Sequence, residues 1–194
     1  MHFIFTILLS AILASFQGGS EKWIVQKTSE INVNGKSNVN SFVCMVSSFS
    51  TKDTMTFMQP KSNGASTVHC TLEVPIRVFD CGNKHMTKDL QKTLNMSSFP
   101  SLYIKFSTFS IHPSKWVNGT KVQADALISI SGVTKPYKIA YTVSRNGDQR
   151  ATLKGQQKVL FSEFHLKPPT KLGGAIRVYD DLIVDMMMHL IKEE

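Results

Sequence analysis

Three cysteines, Cys44, Cys70 and Cys81, have the widest chemical scope in this chain of 194 residues. In an oxidising compartment two of them would pair and one would be left over. Each of the three pairings leaves one thiol, and spacing does not decide among them. Cys70 stands inside an alternating apolar run and reads as a small core residue, which favours Cys44–Cys81. No pair of close C-x-x-C units is present, so a thiolate zinc site is not expected. The histidines His69, His85, His112, His165 and His189 are scattered, and no H-x-H or H-E-x-x-H sets two of them on one face. Asp80, Cys81 and His85 could gather round a metal, but helix capping and a disulfide account for them more simply. Met186, Met187 and Met188 cannot all face one way in a strand, so they suit packing or ligand contact better than copper. Neither G-x-S-x-G, nor a Walker loop, nor G-x-G-x-x-G occurs. No enzyme, cofactor or metal is expected from these residues. Asn95 and Asn118 each open an Asn-x-Ser/Thr sequon, relevant only to a glycosylating host.

Composition bounds what these residues can belong to. Lys and Arg outnumber Asp and Glu by 22 to 14, giving +8 and a pI near 9.4, and 42% of residues are hydrophobic. That is enough for a core and excludes a disordered chain. The arginines are only Arg77, Arg145, Arg150 and Arg177, with no basic stripe, so nucleic acid is not the expected partner. Residues 1–16, MHFIFTILLSAILASF, contain no Lys, Arg, Asp or Glu. The apolar run suits the core of a signal peptide and is short for a membrane span of roughly 20 residues. The expectation is a leader over residues 1–17, a single domain over 22–192, and an exported protein, periplasmic or secreted.

Most of the remaining chain alternates. Cys70, Leu72, Val74, Ile76 and Val78 share one face of a strand, with Thr71, Glu73, Pro75 and Arg77 on the other, and Pro75 marks an edge or bulge. Leu102, Ile104 and Phe106 repeat the pattern, as do Ala126, Ile128 and Ile130, then Tyr137, Ile139, Tyr141 and Val143. Ser131–Pro136 links the last two runs, which predicts a hairpin. Further strands fit Ser37–Val46, Thr54–Met58, Ala151–Leu160 and Leu182–Leu190. One segment breaks the rule: across Asn83–Met96, Met86, Leu90 and Leu94 recur every four residues, opposite Lys84, Lys88 and Lys92. That is an amphipathic helix, capped by Asp80 or Asn83. Strands that alternate throughout must hide one face, in a barrel or a sandwich.

Five segments in order resemble the YceI-like, polyisoprenoid-binding proteins. Leu127–Pro136, reading LISISGVTKP, is similar to that family's L-x-[IL]-x-G-V-T-K-P hairpin. Phe79–Leu90 and then Phe99–Phe106, FPSLYIKF, resemble its strand-to-helix passage and the strand that follows. Ser162–Thr170 with Gly173 and Gly174 resembles a late strand, and Gly35–Phe42 with Cys44 an opening strand, both in the form seen in a cysteine-containing secreted subgroup. The resemblance implies an all-β, eight-stranded antiparallel lipocalin-like barrel with one short amphipathic helix inserted around residues 83–96. It also implies a non-enzymatic protein holding a long isoprenoid-type lipid in the barrel.

The inward residues named above carry no charge, as a hydrocarbon tail requires. The expected lining is Leu72, Val74, Ile76, Val78, Leu102, Ile104, Phe106, Ile128, Ile130, Ile139, Tyr141 and Val143. Lys135, Lys138 and Arg77 are candidates for meeting a head group at the barrel mouth. The alternative is an exported structural or interaction domain whose barrel is packed solid. A homodimer is compatible with either reading.

Overall fold

The computed structural model describes residues 19–46, 53–60 and 64–194, so the expected leader lies outside the described residues. Among them the chain forms β1 (Ser20–Val25), β2 (Glu30–Ser37), β3 (Ser41–Val46), β4 (Thr54–Met58) and β5 (Ser66–Pro75). A helix, α1 (Lys84–Thr93), precedes β6 (Ser101–Phe109), β7 (Lys121–Ile130), β8 (Val133–Arg145) and β9 (Arg150–Leu160). The short β10 (Thr170–Lys171) and the long β11 (Ile176–Lys192) complete the described strands. Neighbours run β1-β4-β5-β6-β7-β8-β9-β11, and β11 pairs back onto β1, which closes an eight-stranded antiparallel barrel. Closure removes the free edges that an open sheet would expose.

β11 is the spine of this arrangement. One of its edges pairs with β9 from Asp181 to Ile191. Its other edge takes β2 from Val178 to Met187 and then β1 from Leu190 to Lys192. β1 and β2 are therefore two pieces of one broken strand, interrupted where Ser29 is buried and its hydroxyl accepts from the His189 amide at 3.0 Å. β3 lies beside β2, and β4 beside β1. β4 meets β5 only at Thr56–His69 and Phe57–Val68. Lower down, the seam is held by a bridge between Met45 and Asp80 and by the adjacent Cys44–Cys81 disulfide. Cys70 is the free cysteine and is buried.

Several elements differ from the sequence expectation, each for a local reason. Residues 37–46 are not one strand: Ser37 ends β2, and its hydroxyl takes the amides of Val39 and Asn40 to turn the chain into β3. β5 stops at Pro75, and Ile76–Val78 form a 3₁₀ turn, so the alternation through Val78 is not carried by a strand. Proline removes a ladder donor at the point where the turn begins. The β7–β8 link shrinks to Ser131 and Gly132, both with positive φ (49° and 79°), as the twist of a two-residue hairpin demands. β8 then runs through Pro136, which sits where β8 has lost its β9 partner, since that pairing begins at Ala140. The strand expected at Leu182–Leu190 extends over the whole of β11. α1 is shorter than 83–96; Asn83 caps it, its Oδ1 accepting from the amides of His85 (2.9 Å) and Met86 (3.2 Å).

Register shifts at Thr67/Cys70, Phe106/Thr108 and Val178/Leu182 add local twist that bends the strands round the barrel. The second shift also resets which residues face inward. After Leu102, Ile104 and Phe106 the next fully buried ring is Phe109, not position 108.

Candidate ligand-binding site

The interior divides into two halves. At the end capped by residues 110–118, Trp23, Phe57, Phe109 and Trp116 form a continuous cluster, with ring centroids 5.2 to 6.1 Å apart. Phe106 and Tyr141 extend it toward the barrel centre. Trp116 is drawn in by its own donor, the indole N–H reaching the Ile111 carbonyl at 3.0 Å. Polar groups here are mostly engaged: the Trp23 indole and Lys192 both reach the Glu21 carboxylate, and Arg145 lies 5.0 Å over the Trp23 ring. His112 is buried, its Nδ1 accepting from the Ser114 amide. Burial is the main force lowering its pKa, helped by Lys192 and Lys115 and opposed by Glu21. This half is filled.

The other half is aliphatic and leaves a void of about 70 Å³. Ile31 and Val33 of β2, Leu102 and Ile104 of β6, Ile128 and Ile130 of β7, Val159 of β9 and Leu182, Val184 and Met186 of β11 surround it. Leu90 of α1 and Leu94, just past its C-terminal end, close its floor with Phe79. Gln157 is its one polar lining residue, and the amide of that side chain donates to the Lys158 carbonyl at 2.8 Å. The Tyr141 hydroxyl stands between the halves, donating to Met186 Sδ at 3.5 Å. Tyr141 fits there because β9 offers Gly155 opposite it; a Cβ at Gly155 would come within 2.5 Å of the ring. Burial pushes the Tyr141 phenol well above its ordinary range, so it stays protonated.

Beside the void, across Leu90, lies a groove of about 250 Å³. Its walls are α1, the β2–β3 turn and residues 169–178, and the Lys171–Asp89 ion pair at 2.8 Å ties the last of these to the helix. Leu90 is the residue common to both spaces.

The expected lining residues fall into distinct places. Leu102, Ile104, Ile128 and Ile130 border the void. Leu72 and Val74 are buried directly opposite Ile104 and Leu102 in the β5–β6 register. Phe106 and Tyr141 belong to the aromatic cluster. Ile139 and Val143 are buried on β8 on either side of Tyr141. Ile76 is buried in the 3₁₀ turn, whereas Val78 is only partly covered.

Lys135 shares the inward face of β8, opposite Ile128 and half-buried, while Arg77 and Lys138 are exposed. Asp80 and Cys81 are committed elsewhere, Asp80 accepting from the Gly82 amide and Cys81 joined to Cys44. Among the described residues no group of three or more His, Cys, Asp or Glu is placed to hold a metal. The Cys70 thiol is pushed up to about 12 by burial and, secondarily, by Asp53, which leaves it protonated at neutral pH. Thiolate chemistry needs the opposite shift.

β2 and β11 contribute lining that the sequence reading did not single out. Leu182, Val184 and Met186 alternate plainly enough to have been found. Ile31 and Val33 sit in an Asn-rich run whose alternation is short.

The sequence matches the YceI-like domain over residues 23–189. The chain belongs to the YceI-like family. Solved structures show the same fold at low identity. A polyisoprenoid-binding domain from Saccharophagus degradans implicated in plant cell wall breakdown superposes with a TM-score of 0.63 at 10% identity, covering 88% of this chain and 98% of its own. BcnA of Burkholderia cenocepacia gives a TM-score of 0.63 at 16% identity, covering 83% and 95%. A variant of the Campylobacter jejuni YceI protein gives 0.55 at 13%, covering 82% and 85%. No curated protein matches the chain. The disulfide, and the absence among the described residues of a helix long and apolar enough to cross a membrane, are compatible with an exported YceI-like protein.

Proposed function

We propose that this YceI-like protein is an exported, non-enzymatic carrier that holds a long apolar lipid of polyisoprenoid type in the α1-side half of its barrel. The observation that carries the reading is the void bounded by Ile104, Ile128, Leu182 and Met186, an uncharged space inside a closed barrel. Hydrocarbon moved there from water gains about 0.8 kcal/mol per methylene. The polyisoprenoid-binding description of the Saccharophagus degradans domain supports the same ligand class. The leader over residues 1–17 and the domain over 22–192 belong to this proposal.

The filled aromatic half favours a second reading, an exported interaction domain with a packed barrel and no lipid. Native mass spectrometry of protein purified from its own host separates them. A co-purifying lipid is expected, and its reproducible absence would count against the carrier. Ile104→Glu or Ile128→Glu is expected to abolish uptake of added lipid in a variant that still folds; unchanged uptake would place the ligand elsewhere.

A further inference from the structure

We propose that the groove between α1 and the β2–β3 turn is the second chamber of the ligand site, and that an apolar chain passes into it from the barrel interior at the position of Leu90. The inference rests on the lipid-binding reading and adds the ligand's course and form. The interior void, about 70 Å³, is far below the roughly 300–1,000 Å³ of sites that enclose small organic ligands. A long chain cannot extend toward the opposite end, where Trp23, Phe109 and Trp116 are in ring contact. It can extend toward α1, where a further 250 Å³ or so is lined in part by a side chain that also lines the void.

That side chain is Leu90, 7% exposed, which borders both spaces. On the proposed course, it is the movement of this side chain that lets the two spaces communicate. The groove offers a chain an apolar surface, with Phe42, Met86, Ile176 and Val178 among its walls. Its polar rim is already satisfied: Asn83 caps α1, Ser37 donates to Asn40, and Lys171 pairs with Asp89. A ligand laid there meets hydrocarbon inside and polar groups only at the solvent end. The ligand class is thus a single-chain amphiphile, tail in the barrel, body in the groove and polar head at the rim.

The test uses the disulfide-bonded protein and prenyl alcohols of increasing length, read by native mass spectrometry and by displacement of a fluorescent fatty acid. Leu90→Trp is expected to weaken the longest alcohol at least about tenfold and the shortest by less than about twofold, since only the long chain must pass position 90. Ile176→Asp, on a partly exposed wall, is expected to give the same length-dependent loss and carries the test if Leu90→Trp does not fold. Leu90→Ala is expected to tighten the longest alcohol. If folded variants leave the longest alcohol unaffected, or weaken all lengths equally, the groove is not part of the site and the inference falls, while the carrier reading stands. Failure of the unsubstituted protein to bind any length removes the carrier reading itself.

Discussion

At one end of this YceI-like barrel rings rest on rings; at the other, branched aliphatic side chains leave an uncharged void. The strand residues of both ends follow the same period-two pattern, so the pattern does not distinguish them. Side-chain size does. Trp23, Phe57, Phe109 and Trp116 fill one end to contact, with Glu21, Lys192 and Arg145 engaged around them. The other end is built mainly from Ile, Val and Leu, with Met186 and Phe79, and carries Gln157 as its polar lining residue. Ring contacts are concentrated in the first region, and room for a guest in the second.

The comparison breaks most directly if the stability difference is not there. Phe109→Ala is expected to cost about 3–5 kcal/mol in denaturant unfolding, and Ile128→Ala, beside space that already exists, only about 2 kcal/mol, the low end for such truncations. A reversed order would mean that the aliphatic half is the better packed. Next in size is the disulfide: replacing Cys44 and Cys81 by Ser is expected to cost about 2–4 kcal/mol, the pair lying 37 residues apart. Hydrogen exchange in that variant should rise first in α1 and last around Trp116. Gly155→Ala thrusts a methyl against Tyr141 at the boundary and is expected to cost about 1–3 kcal/mol, seen as a lower melting temperature.

Acid sharpens the contrast from the aromatic side. His112 is held neutral, below the ordinary 6.5, so the unfolded chain takes up the proton first and stability falls as pH drops through that value. Melting curves at neutral and mildly acidic pH should show this decline, and His112→Gln should flatten it. The smallest effect belongs to the α1 side: Asp89→Asn removes a partly exposed pair and is expected to cost less than about 1 kcal/mol. Its melting point should stay close to that of the unsubstituted protein.

Strands β5 to β8 were legible in the sequence because Leu72, Ile104, Ile128 and Ile139 alternate with polar residues over long runs. The amphipathic stripe through Leu90 and Leu94 likewise announced α1. β4 was legible too, at Thr54–Met58. The division of β1 from β2 and of β2 from β3 was not: the first is marked by a bond from the distant His189 amide to Ser29, and the second by the Ser37 hydroxyl taking the amides of Val39 and Asn40 inside an otherwise alternating run. Of the expected lining, Ile104 and Phe106 read alike in sequence, yet Ile104 borders the void and Phe106 belongs to the aromatic cluster. Alternation gives the direction of a side chain, and volume depends on what stands across from it. The groove was invisible for the same reason: Phe42, Leu90 and Ile176 meet only in three dimensions.

The long strand β11 has a consequence for how the molecule is made. It is the partner of β9, β2 and β1 together, so β1 and β2, which can pair early with β4 and β3, wait for β11 before the barrel can close. Contacts that span the sequence in this way form late and slowly. A nascent chain lacking β11 holds an open sheet with unsatisfied edges, a state that can be threaded onward or captured by a chaperone. Barrel closure therefore waits for β11, whatever the earlier strands have already paired with.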